Sequence, residues 1–454
     1  MIDERISNSD SIARFVCGAA QRTLPDEVLD MARLCLVDWV GVCTGAQRES
    51  AAMIVRSVTQ SWAGNGRSTM LLGGQTSAPL AALCNGTLAH CLDFDDTYVS
   101  GNTHTSGPLW ATALALGEEL NASETAMLTA FVTGFEAAAR VSQGLGEAVT
   151  ARGFHATGVF GRIAAAAAAC ALFRLDFAST RSALGVAATQ ASGLVGSFGT
   201  MAKPFHAGKA AMDGILAAQL AASGFAGATD LFEPGGKLNR PLIQDGSAQI
   251  VPADFSGWEI LNNSFKPYAA CHLTHPSIDA ARRSGLTPED LAGIRVVRAM
   301  VGPLAEQVTG RCSGPPATPL VGKFDLKYCV ALALHGYAVS AADFDQVVDD
   351  PGVHQTAAKV QVEVGDHYTF SSAALRVEFA DGRALEIDVP VAKGHPGNPM
   401  SWSDMRNKFT ALVEPTVQAR AGEVFECLRH FGGARGHGVA MIRYLSGAIQ
   451  ARLS

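Results

Sequence analysis

A chain of 454 residues that is 48% apolar, 17% charged and of net charge −7 has room for two or three domains around a large core. That balance excludes a disordered or coiled-coil chain, and without a basic stripe or an RNA-binding motif it argues against a nucleic-acid partner. The ten cysteines are scattered, with no CxxC pair and no finger-like Cys/His spacing, as expected of reduced thiols in a cytoplasmic protein.

The polar start MIDERISNSD gives no expectation of a signal peptide. From about residue 11 to 224 the chain reads as helix after helix. Pro25 opens a segment in which Val28, Met31, Ala32, Cys35, Leu36, Trp39 and Val40 recur at helical spacing. Similar patterns predict helices over 51–62, 80–92, 108–120, 126–145, 158–173, 180–191 and 208–222, and only 68–72 hints at a strand. The longest apolar run, 163–173, falls short of the roughly 20 residues a bilayer span needs, so a buried Ala-rich helix and no membrane association are expected.

After about residue 264 the pattern changes. The segments 293–301, 359–364, 374–379 and 384–391 have the period-two, Val/Ile-rich look of strands, with Asp381-Gly382 as a hairpin turn between the last two. Helices are predicted over 276–284 and 323–335. A Gly/Pro-rich break at 394–399 follows, and 403–453 returns to helix. The fold class expected is mainly α. Residues 1–264 and 399–454 form one large all-helical domain, and residues 265–398 are a smaller α+β domain inserted into it.

Five segments carry chemistry. The first is Asp93-Phe94-Asp95-Asp96-Thr97, followed by His104-Thr105-Ser106-Gly107. Like charges this close are costly unless something uses them, and Gly101-Asn102 lets His104 fold back over the acidic run. The second is Arg152-Gly153-Phe154-His155-Ala156-Thr157-Gly158, which sets His155 at a helix start, where the dipole favours the neutral imidazole. Simple capping is the bland alternative. The third, residues 201–209, reads as a loop placing Lys203, His206 and Lys209 before a helix, suited to a carboxylate or phosphate, or else a solvated basic loop.

The fourth, residues 265–276, offers Lys266 to an anion and His272 for proton exchange. Cys271, His272 and His275 lack metal-ligand spacing, so no metal is expected. The fifth is Tyr328, which as a lone aromatic on an amphipathic helix is more often core than catalyst. No P-loop, dinucleotide fingerprint, nucleophile elbow or iron–sulfur set is present, and no cofactor is expected.

Taken together, LDFDDT at 92–97 with HTSG at 104–107, GFHATGVFG at 153–161, KPFHAGKAA at 203–211, FKPYAACHLTHPSIDA at 265–280 and KFDLKYCVALAL at 323–334 resemble the MmgE/PrpD family. The likeness runs over nearly the whole chain. It implies an all-helical domain from both chain ends, an α+β lid, a homodimer and a pocket for small di- or tricarboxylates. It further implies Asp93, Thr97, His104, His155, Lys203, Lys266, His272 and Tyr328 as the pocket residues. Two features depart from the pattern: Thr105 follows His104 where Pro is frequent, and His272 stands where many bacterial members have Arg.

The family chemistry is proton movement beside a carboxylate. Lys203 and Lys266 would steady the carboxylate oxygens with a donor from Thr97. His104, His155 and Tyr328 would act as acid or base, with Asp93 orienting one of them. The leading expectation is epimerisation of an amino-dicarboxylate such as iminodisuccinate. The alternatives are a 2-methylcitrate dehydratase-type hydro-lyase or a cis-aconitate decarboxylase-type lyase. A terpene-cyclase reading of the Asp run is disfavoured by an aromatic content of 7%. A non-catalytic helical scaffold is the remaining option.

Overall fold

The abundance of Ala and Gly sets how closely the helices pack. The helix Ala202–Ala222 crosses Ala78–Ala89 at a pair of glycines. A Cβ added to Gly208 would lie 2.2 Å from the carbonyl oxygen of Leu83, and one on Gly86 would lie 2.8 Å from the Cα of Gly208. Gly214 makes an equally close approach to the helix Ala156–Phe173, where its Cβ would meet that of Ala165 at 2.3 Å. Small residues thus bring three backbones into near contact.

The computed structural model describes residues 6–62, 64–346, 350–434 and 436–453, so the first five residues of the polar start lie outside it. The chain divides into two units. One joins the chain up to Cys91 with Asp95–Asn263 and the chain from Trp402 onward; the other consists of Leu92–Phe94 and Ser264–Ser401.

The first unit is helical, with two-residue strands such as Ser68–Thr69 and Gln75–Thr76. Its helix Trp402–Val417 packs on Asp26–Gly45. The buried ammonium of Lys408 lies 2.6 Å from the Asp38 carboxylate across that contact. Leaving either charge alone there would cost several kcal/mol, on the order of 3–5.

Two helix boundaries differ from expectation in ways that matter. Ala78–Ala89 stops at His90 instead of continuing to 92. Ala202–Ala222 starts six residues before the expected 208, so the anticipated basic loop is helix. Pro204 is tolerated because the N–H groups of a first turn have no intrahelical partner. Gly208 therefore serves a helix crossing and not a ligand.

The helix Ala156–Phe173 also outgrows the apolar run that announced it. With 18 residues and a mean hydropathy of 1.6 it is long and apolar enough to cross a membrane. All residues from Ala156 to Cys170 are buried within the helical unit, which accounts for that composition.

The second unit is built on a four-stranded sheet, ordered Val360–Val364, Ile294–Val301, Ala373–Phe379, Ala384–Val389. The first pair is parallel and the other two are antiparallel. Gly382, at φ +89°, makes the hairpin turn between the last two strands. The helices His275–Arg283 and Leu326–Leu334 supply the rest of the core. Short helices that begin with proline, Pro288–Gly293 and Pro351–Ala357 among them, were not expected.

Candidate active site

In the helical unit, the end of Ala78–Ala89 delivers His90, buried, to a carboxylate five residues later. Its Nδ1 lies 2.8 Å from Asp95 Oδ2. The loop then turns at Asn102, in the left-handed region at φ +49°, and brings His104 back. His104 Nδ1 is 2.9 Å from the Asp96 carbonyl oxygen, 3.4 Å from Asp95 Oδ2 and 3.5 Å from Thr97 Oγ1. Its backbone N–H donates to Thr157 Oγ1 at 2.9 Å.

These acceptors fix both rings. Each faces a carboxylate or carbonyl oxygen with Nδ1, so Nδ1 is the donor there. His90 Nε2 is buried and makes no hydrogen bond among the described residues.

His155 is the N-cap residue of Ala156–Phe173. Its N–H donates to the Gly193 carbonyl at 3.0 Å, its ring stacks on His90 at 5.6 Å, and Phe198 meets its edge at 5.0 Å. Lys203, buried in the first turn of Ala202–Ala222, has its ammonium 5.2 Å from the Phe198 ring centroid. The half-buried His206 places Nδ1 3.0 Å from Nδ1 of His155.

Burial, followed by the positive fields of His90, Lys203, His206 and His104, holds the His155 imidazole well below its ordinary pKa. Burial, then His90, Arg162 and Lys203, brings His206 down to about 4. Asp96 shifts the other way. Burial and the nearby charge of Asp38 raise its carboxyl to about 7, although Ser106 and Asn263 both donate to Oδ2. At neutral pH the facing rings of His155 and His206 are therefore neutral.

In the second unit, Asp93 adopts the left-handed region at φ +53°. Lys266 donates to its carbonyl oxygen at 2.7 Å and lies 3.4 Å from its carboxylate, while Lys323 donates to the Leu92 carbonyl at 3.2 Å. His272 sits in a short turn, its ring 4.6 Å from that of His275. Tyr328 lies in the core of this unit against Phe344 and His354, and burial raises its hydroxyl pKa.

The structure therefore gathers Thr97, His104, His155 and Lys203 within the helical unit. Asp93, Lys266, His272 and Tyr328 belong to the other. Asp95 is the carboxylate that meets His90 and His104, and Asp93, in its left-handed turn, lies against Lys266. Sequence reasoning left His90, Asp95, Asp96 and Lys323 without roles and saw His206 only as one of three basic groups before a helix. The five-residue spacing from His90 to Asp95 across a helix end was the available signal.

For a metal, His90, Asp95 and His104 each bring one ligand-type atom within 4.8 Å of the others, and no such set among the described residues includes Cys271. Proton sharing with Asp95 accounts for that spacing.

Comparison with known proteins places this cluster in a family. The MmgE/PrpD N-terminal domain matches residues 10–248 and the MmgE/PrpD C-terminal domain residues 268–430. Among curated relatives, the cis-aconitate decarboxylase of Aspergillus terreus is 24% identical, with 92% of this chain and 91% of the relative covered. Those of Mus musculus and Homo sapiens are each 26% identical, covering 91% and 89% of this chain and 89% and 87% of their own. With its two domains matched in order along the chain, this protein belongs to the MmgE/PrpD family.

Proposed function

We propose that the protein is a cofactor-independent carboxy-lyase acting on a small unsaturated tricarboxylate of the cis-aconitate kind. The observation that carries this reading is the buried His155 imidazole, held neutral by burial and by the positive fields of its neighbours, Lys203 among them. The relatives named cis-aconitate decarboxylase support carbon dioxide loss over the epimerisation expected first.

Loss of CO2 leaves an electron pair on carbon. A cation near the remaining carboxylate oxygens lowers the energy of that state, and an acid must then deliver a proton. Lys203 takes the first role, with Thr97 as a further contact to substrate. His155 takes the second role, and His104, oriented through Asp95, completes the acid/base set.

A neutral imidazole is no acid, and here the substrate itself matters. Its negative charges oppose the positive neighbours that depress His155, so binding raises the proton affinity of the ring. The substrate thereby charges the group that will protonate it.

Proton NMR in D2O with cis-aconitate tests the reaction. The expected result is loss of the tricarboxylate, an equivalent of CO2 and one deuterium on carbon in a five-carbon product. A new oxygen-bearing carbon would favour the hydro-lyase. Deuterium washed into the α-carbon of an amino-dicarboxylate, without CO2, would restore the epimerase.

A further inference from the structure

We infer that His206 is the relay through which His155 is reprotonated from solvent. The inference rests on the carboxy-lyase reading and follows from its proton balance. A carboxylate that leaves as CO2 is replaced on carbon by a proton, so each turnover removes one proton from the enzyme. A dehydration has no such deficit, because the proton taken from carbon can leave with the hydroxyl as water. A buried donor such as His155 therefore needs a route to water in every cycle.

The route is laid out in the helical unit. His155 is 3% exposed, whereas His206 is half-buried on a rim with the exposed side chains of Leu194, Met201 and Phe205. The two Nδ1 atoms face each other at 3.0 Å, a distance that holds one proton between them. Backbone packing fixes the pair. Gly193, at φ +108°, lies so close that an added Cβ would be 3.2 Å from His206 Nδ1 and 3.4 Å from His155 Cβ. The Gly193 carbonyl also accepts the N–H of His155 at 3.0 Å.

A proton from solvent binds His206 at Nε2, the proton on His206 Nδ1 crosses to the bare Nδ1 of His155, and the His155 imidazolium so formed gives its Nε2 proton to carbon. One solvent proton thus enters for each proton placed on carbon, and exchange with solvent between turnovers returns both rings to their starting tautomers. The fields that lower the proton affinity of His206 come from His90, Arg162 and Lys203, and Arg162 is held at 2.9 Å by Asp213, which also pairs with Lys209. Their net positive field favours passage of the proton over its retention. His206 acts through His155 and has no assigned contact with substrate, so it is a positioning residue.

The test compares His206→Ala and His206→Gln with the wild type on cis-aconitate, using CO2 release. Gln keeps a side-chain hydrogen bond to His155 but carries no exchangeable imidazole proton. Both variants are expected to lose about 10²-fold in kcat with little change in KM, and imidazole buffer is expected to restore the rate of His206→Ala. Wild-type kcat in the Gln variant, or an Ala variant deaf to imidazole while its melting temperature is unchanged, would overturn the relay. Neither result would touch the carboxy-lyase reading, which fails only if the wild-type protein releases no CO2.

Discussion

Each imidazole of the cluster owes its orientation to the group that faces its Nδ1. Asp95 and the Asp96 carbonyl accept from His90 and His104, whereas another imidazole makes His155 half of a proton-sharing pair. Asp96 itself is a buried acid with a testable signature. Its folded pKa of about 7 lies above the unfolded 3.8, so between these values only the folded state holds the proton. Its stabilising contribution is full below the unfolded pKa and is lost as pH rises through the folded one. Asp96→Asn should flatten the fall in melting temperature between about pH 4 and about pH 7, and an unchanged slope would contradict that assignment. The sequence displayed three carboxylates but not their directions. Those depend on one left-handed residue, Asp93, whose conformation leaves no mark in composition or periodicity.

At the scale of elements, the site depends on where helices begin and how closely they cross. Lys203 and His206 are held in the first turns of Ala202–Ala222, and the Gly86–Gly208 crossing sets that helix against Ala78–Ala89, which ends at His90. Gly208→Ala would push a Cβ against the Leu83 carbonyl and the Thr87 backbone, neither of which can rotate away. It should destabilise by at least about 1–3 kcal/mol, seen as a lower urea midpoint at constant m. An unchanged midpoint would mean that the crossing is looser than it looks. Helix interiors were legible because apolar spacing survives any packing. The start of this helix was not, since Pro204 and Gly208 resemble loop residues until the first-turn exemption for proline and the partner glycine are known. The strands of the second unit were legible within a residue or two, because alternation there is enforced by one buried face.

For the whole molecule, the matched domains give the family, and the proposed reaction rests on what the site can do with a proton. The sequence pointed to imidazoles and lysines spread over distant segments. It did not separate epimerisation from decarboxylation, because all three candidate reactions draw on the same residue types. The central claim is that His155 and Lys203 handle charge and a proton at a carbon losing CO2. The most direct measurement is the rate of CO2 release from cis-aconitate by the wild-type protein and by His155→Ala and Lys203→Ala, each checked for an unchanged fold. A loss of about 10²-fold or more in each variant is the predicted result; wild-type rates in both would contradict it.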